Sequence, residues 1–281
     1  MKITQKRSIL AYPYFVWSLI FIVIPLLLVV FFSFTKEVGT GYVFTLENYK
    51  DVISPIYAKV FGRSIVLAGG ATLLCLVIGY PVAFLISKFP VSKRGKLILL
   101  FILPMWMNFL LRTYAWVAIL GKNGLLNTLL GFFGIEGINI LYTNYAVLLG
   151  MVYNFLPFMV LPIYTALSKM DEDLINAAHD LGANNLTVFR KIIFPLSLPG
   201  VFSGITMVFM PAVTTFAISR LLGGGKVMLV GDLIEQQFTV VGDWNFGSAI
   251  SMFMMVIILI SMAIMSKMDD DTGTEGGGFL F

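Results

Sequence analysis

The sequence predicts an all-α integral membrane protein with six transmembrane helices, on three observations. The first is composition: of 281 residues, 58% are hydrophobic and only 12% charged, with a mean hydropathy of +0.92. A soluble domain carries about 25% charged residues, so a single apolar core inside a charged shell is not available to this chain. The second is the length of the apolar runs. Segments near 11–32, 65–86, 97–120, 144–167, 199–222 and 246–266 each hold enough consecutive apolar residues to cross a bilayer core as a helix. The third is their texture: the runs are continuous rather than alternating, which selects helices over a barrel.

Taken in order, the run 11–32 is too long for a cleavable leader and lacks a small-residue cleavage site. Its Pro25 sits mid-span, where membrane helices tolerate proline. The connection 33–64 follows, then span two, in which Cys75 reads as a small hydrophobe. As the single cysteine it excludes an internal disulfide and any multi-cysteine metal site. Lys88, Lys93, Arg94 and Lys96 crowd the short link to span three. The connections 121–143 and 223–245 contain apolar periods of helical type that dip back toward the membrane. The tail from 267 to 281, with Asp269, Asp270 and Asp271 followed by a glycine-rich stretch, reads as solvated and disordered. The division is thus an N-terminal helix and outer loop (1–60), a transmembrane core (61–266) and the tail.

Orientation follows the basic residues. Lys2, Lys6 and Arg7 precede span one, the 88–96 cluster joins spans two and three, Lys169, Arg190 and Lys191 join spans four and five, and Lys267 follows span six. That places 11 of the 19 basic residues on one side, in short loops. Both termini are expected in the cytoplasm, and the formal net charge of +4 suits such anchoring rather than nucleic acid.

Several classes are excluded. The three Gly-Lys pairs, at Lys96, Lys122 and Lys226, are followed by Leu, Asn and Val, so no P-loop is present. His179 is the single histidine and no G-x-S-x-G accompanies it, leaving no catalytic set and no metal ligand group. None of the 15 acidic residues lies mid-span, unlike an ion-driven carrier, and no Arg-rich helix suggests a voltage sensor. Arg112 and Arg220, near the outer ends of spans three and five, are expected to snorkel to the interface.

The link between spans four and five carries the most information. Leu174, Ala177, Ala178 and Leu181 fall at i, i+3, i+4 and i+7, a helix stripe. Asp171, Glu172 and Asp173 open it against the helix dipole, and Gly182 closes it as a left-handed cap. Asn184 and Asn185 cap a second short helix bearing Leu186, Phe189, Ile192 and Ile193, which Pro195 stops before Pro199 sets up span five. An exposed apolar stripe needs a cover. It lies either on lipid as an interfacial helix or in a groove of a partner protein.

Ala177-Ala178, three residues, Gly182, nine residues, then Ile192-x-Phe194-Pro195 resembles the cytoplasmic "EAA" loop of ABC importer permeases, with Asn176 in place of the family's Glu and Phe194 in place of its Leu. Further segments are similar to the spermidine/putrescine permease subfamily, in its PotB-type branch: FTLENY at 44–49, LVIGYPVA at 76–83, LPMWMN at 103–108 with RTY at 112–114, LPFMVLPIY at 156–164 and GDLIEQQF at 231–238. The resemblance implies a type I ABC importer permease fold in a bacterial inner membrane. It implies an ABC ATPase homodimer that binds the ATP, a second homologous permease of PotC-like type and an extracytoplasmic polyamine-binding protein. This chain would bind no cofactor of its own. Loop 171–195 would dock the ATPase through Leu174, Asn176, Ala177, Ala178, Leu181, Gly182, Ile192 and Pro195. The same resemblance leaves open other solutes, such as an amino acid, thiosulfate or ferric iron, and a non-ABC channel or scaffold stands as the competing class.

For a polycation, acceptors along the path must replace water yet release the solute. Asp232 and Glu235 share a face if 228–238 is helical. Trp106 and Tyr114 offer cation–π faces, and Asn108 with Pro104 marks a broken, polar stretch of span three. Trp116 and Tyr153 belong to the same candidate set, and for all four aromatics the alternative is the interfacial aromatic belt.

Overall fold

A computed structural model describes residues 12–39 and 41–270. Lys2, Lys6, Arg7 and the tail beyond 270 lie outside the described residues. The helices are α1 (Tyr12–Ser33), α2 (Glu47–Val52), α3 (Pro55–Lys88), α4 (Val91–Trp106, ending in a 3₁₀ turn), α5 (Phe109–Leu120), α6 (Leu125–Phe132), α7 (Asn144–Ser168) and α8 (Glu172–Asp180). They continue with α9 (Asn185–Thr214), α10 (Ala217–Gly223), α11 (Val230–Gln236) and α12 (Trp244–Asp270). One hairpin, β1 (Thr35–Val38) against β2 (Gly41–Phe44), pairs Thr35 opposite Phe44 and Val38 opposite Gly41.

Five helices are long and apolar enough to cross a membrane unbroken: α1, α3, α7, α9 and the Trp244–Met265 part of α12. The sixth crossing differs from its expectation. Span three is not one rod over 97–120, because α4 and the α5–α6 segment meet at a bend of 86°. Met107 is extended there, and Asn108 restarts the helix by accepting hydrogen bonds from the backbone N–H of Leu110 and Leu111. A side-chain cap substitutes for the ladder that Pro104 and the extended residue interrupt.

Span five is also displaced. It begins at Asn185, fourteen residues before the expected 199, and ends at Thr214 rather than 222. Pro195 therefore does not stop a helix. The chain widens into a π turn over Phe189–Ile193 and passes Pro195 as the second residue of the next α-helical stretch. Proline lacks an N–H and crowds the preceding turn, and a wider turn relieves both. The same device recurs in α1, where a π turn over Leu19–Val23 precedes Pro25. Arg220, expected at the end of span five, lies exposed on the separate α10. Helix α3 begins at Pro55, ten residues before the expected 65. Its 34 residues span about 51 Å, more than a bilayer core.

The chain divides into two compact units: residues to Lys59 with Leu233–Ile257, and Val60–Asp232 with residues from Ile258 onward. In the first unit α1 is exposed along almost its whole length, which only a lipid or partner surface accommodates. Its C-terminal carbonyls are capped from afar. Asn48 Nδ2 donates to the carbonyls of Thr35 (2.9 Å) and Ser33 (3.3 Å), and Asn245 Nδ2 donates to those of Thr35 (2.8 Å) and Phe32 (3.1 Å). Both asparagines are buried.

The core of the second unit is α7 against α9, with α10 on α7 and α5. Gly200 and Gly204 of α9 make the approach close. A Cβ at Gly200 would lie 2.7 Å from Ala166 Cβ and 2.7 Å from the Pro162 carbonyl oxygen, and one at Gly204 would lie 2.8 Å from Met159 Sδ. Membrane helices gain their packing from such small-residue faces.

Candidate functional site

The loop after α7 is built by its caps. Asp171 accepts a hydrogen bond from the N–H of Asp173 at 2.9 Å, opening α8. At its other end Gly182 takes φ +82°, its N–H donates to the His179 carbonyl and the N–H of Ala183 donates to the Ala178 carbonyl at 3.0 Å. This is the closing geometry that favours glycine. Asn184 then accepts from the N–H of Thr187 at 2.8 Å, starting α9.

The unit presents apolar surface and is anchored at both ends. Leu174 is 51% exposed, Leu181 89% and Leu186 64%. Asn176, Ala177, Gly182 and Pro195 are exposed as well, while Ala178 and Ile192 are half-buried. Behind this surface the root of α9 is held to α3. The Tyr80 hydroxyl lies 2.9 Å from Ser197 Oγ, Phe189 meets Phe84 edge-on at 5.6 Å, and Phe194 lies 5.8 Å from the Tyr80 ring. The start of α8 is tied by Arg94, whose Nη2 stands 3.5 Å from Glu172 Oε1 while its Nε donates to the Phe89 carbonyl. A cavity of about 300 Å³ lies beneath, lined in part by Phe84, Ile175, Asn176 and Ile193. Thus α8 is exposed outward and joins the root of α9 through the Gly182 turn. Arg94 and the aromatic clamp were not foreseen as parts of the loop: Arg94 read only as an orienting charge, and Tyr80 and Phe189 are far apart in sequence.

The residues proposed for a solute path fall at two places. Trp106 is 76% exposed at the end of α4, Asn108 caps α5, and Tyr114 is 55% exposed one and a half turns on. The side chains of Trp106 and Tyr114 make no hydrogen bond or ring contact with any described residue, whereas Trp116 packs edge-on against Tyr153 at 5.4 Å. Asp232 and Glu235 do share a helix, α11. Asp232 Oδ2 accepts from the N–H of Leu229 at 2.9 Å, and the N–H of Val230 donates to Ser64 Oγ on α3. Glu235 Oε1 accepts from the Thr239 hydroxyl at 3.2 Å. Arg112 departs from its expectation: it is buried at 8% exposure and its Nε has no partner, instead of extending to the interface.

The family described as "Binding-protein-dependent transport system inner membrane component" matches residues 3–271. The spermidine/putrescine transport system permease protein PotB of Haemophilus influenzae is 44% identical over 251 residues, covering 88% of each chain. That of Escherichia coli K12 is 39% identical over 253 residues, covering 88% of this chain and 92% of the relative. Among solved structures, a bacterial ABC transporter involved in import of the acidic polysaccharide alginate superimposes with a TM-score of 0.81 at 16% identity, covering 96% of this chain and 98% of that one. The same fold match holds, at TM-score 0.80 and 17% identity over 96% of this chain and 97% of that one, for the alginate transporter in complex with its ligand-bound periplasmic protein.

Proposed function

The chain belongs to the family of binding-protein-dependent transport system inner membrane components, and from that premise we propose that it is the polyamine-conducting permease subunit of an ATP-driven importer. The observation that carries the reading is the exposed α8, rooted through α9 in the bundle and bearing an uncovered apolar stripe. The substrate class rests on the likeness to the PotB permeases.

In this reading an ABC ATPase dimer receives loop 171–195 in its groove and hydrolyses the ATP. Leu174, Asn176, Ala177, Ala178, Leu181 and Gly182 form the contact, with Ile192 and Pro195 at its base. Closure of the ATPases moves α8 and the root of α9 together, because a packed interior resists compression and responds by shifting as a body. A second homologous permease completes the pathway, and an external binding protein selects the solute. Both chain ends face the cytoplasm, residues 61–266 form the permeation core, and 1–60 supply an added helix and outer loop. Trp106, Asn108 and Tyr114 at the break of the third crossing, with Asp232 and Glu235 on α11, line the route. Aromatic faces and carboxylates attract amines at roughly 0.5–2 kcal/mol per cation–π contact, weak enough for release.

The test is uptake into vesicles holding the purified complex with its binding protein, comparing spermidine, putrescine and spermine with an amino acid, thiosulfate and ferric iron. ATP-dependent accumulation of a polyamine is expected. Uptake of one of the other solutes in its place would reassign the substrate.

A further inference from the structure

Within the first compact unit the hairpin, α2 and the start of α12 enclose a cleft of about 1120 Å³. Its charge is one-sided. Glu37, Glu47, Asp51 and Asp243 line it against a single ammonium, Lys36, a formal net charge of −3. Lys36 is committed to Glu47 at 3.0 Å, and that hydrogen bond, reinforced by the charge of Glu47 and more weakly by Asp51 and Asp243, raises its pKa. Glu37 and Asp51 pair with no described residue.

Two further features mark the cleft as a site rather than an acidic surface. Gln237 is buried at 9% exposure and lines the cleft from a π turn, Gln237–Val241, yet its side-chain amide hydrogen-bonds to no described residue. The amide opens on the cleft, where its oxygen is left to accept a hydrogen bond from a ligand N–H. The walls also carry aromatic faces. Tyr42 and Trp244, both about half exposed, flank Phe32 at 5.7 and 6.4 Å between ring centres. Among the described residues no group of three carboxylates or other ligands is close enough to hold a metal ion, so the negative charge is spread as an extended cation requires.

We propose that this cleft binds an aliphatic polyammonium ion directly, independently of the external binding protein. Glu37, Asp51 and Asp243 take the ammonium groups, Gln237 accepts an N–H, and Tyr42 and Trp244 cover the intervening methylenes and add cation–π attraction. The ligand class rests on the polyamine reading above. The geometry adds a place for the solute whose lining includes neither Trp106 nor any residue of α11.

The experiment is equilibrium binding of radiolabelled spermidine to the intact permease–ATPase complex in nanodiscs, without binding protein. Saturable binding that weakens with salt is expected. Glu37→Gln with Asp51→Asn should weaken it about tenfold, the effect of removing two half-screened charges. The charge-preserving pair Glu37→Asp with Asp51→Glu should stay within about threefold of the unaltered complex, which separates lost charge from lost structure. Glu136→Gln, which removes a carboxylate that does not line the cleft, should change nothing. Absence of saturable binding in a complex that still pumps spermidine with its binding protein, or unchanged affinity in the double variant, overturns the cleft and leaves the transport reading intact. Binding with the expected pattern in a complex that pumps no spermidine upholds the cleft and removes the transport reading.

Discussion

Gly200 of α9 lies so close to Ala166 of α7 that a Cβ added to it would sit 2.7 Å from the alanine methyl. The two helices that flank loop 171–195 are therefore in backbone-level contact near the loop itself. Gly200→Leu should force them apart at a cost of about 1–3 kcal/mol, the range for overpacked cores. The purified complex should melt at a lower temperature and lose most of its uptake. A melting temperature unchanged from the parent would show that the helices separate freely there.

Asn48 and Asn245 converge on the carbonyl of Thr35, two residues beyond α1. Asn245→Leu removes a buried donor serving three acceptors, and each carbonyl left bare costs about 1–3 kcal/mol. Limited proteolysis should cut the 34–54 connection sooner in Asn245→Leu and in Asn48→Leu than in the parent. Equal cutting rates would mean that water replaces the amides.

Phe189 meets both Tyr80 and Phe84 edge-on. Each such pair contributes about 0.5–1.5 kcal/mol beyond burial. Phe189→Ala should loosen the root of α9, lowering uptake several-fold while ATP hydrolysis by the assembled complex continues. Parallel loss or parallel retention of the two activities would argue against a clamp that transmits motion.

The Lys36–Glu47 pair gives a pH expectation of defined sign. Its hydrogen bond and charge hold the Glu47 carboxyl below its ordinary value of 4.5 and raise Lys36 above 10.5. The carboxylate's contribution is present above its unfolded value and is lost as pH falls through the folded one. The ammonium's contribution is present below its unfolded value and is lost as pH rises through the folded one. Both groups are exposed, so the pair adds little at neutral pH. Melting curves of Glu47→Gln should match the parent from pH 6 to 8 at physiological salt. A clear difference there would show a stronger pair than its exposure allows.

How much of this was legible in the sequence depends on the range of the forces involved. The crossings α1, α3, α7 and α12 follow from unbroken apolar runs, and α8 from its own caps, Asp171 and Gly182. Local signals also marked the break beside Trp106, where Pro104 and Asn108 stand, although not its 86° bend. Span five was misplaced because the residues beyond Thr214 stay apolar, and because a π turn lets a helix run through Pro195. Arg112 looked like an interfacial anchor, but burial depends on neighbours that periodicity does not reveal. The asparagine capping of α1 and the acidic cleft join residues up to 213 positions apart, beyond any local pattern.

The most direct measurement of the central claim is photo-crosslinking from position 181 of the assembled, pumping complex, where Leu181 is 89% exposed. The account predicts capture of the ATP-hydrolysing subunit, and loss of that adduct together with uptake in Ala178→Asp and Gly182→Pro. ATP-driven uptake from a complex in which position 181 is captured by lipid alone would contradict it.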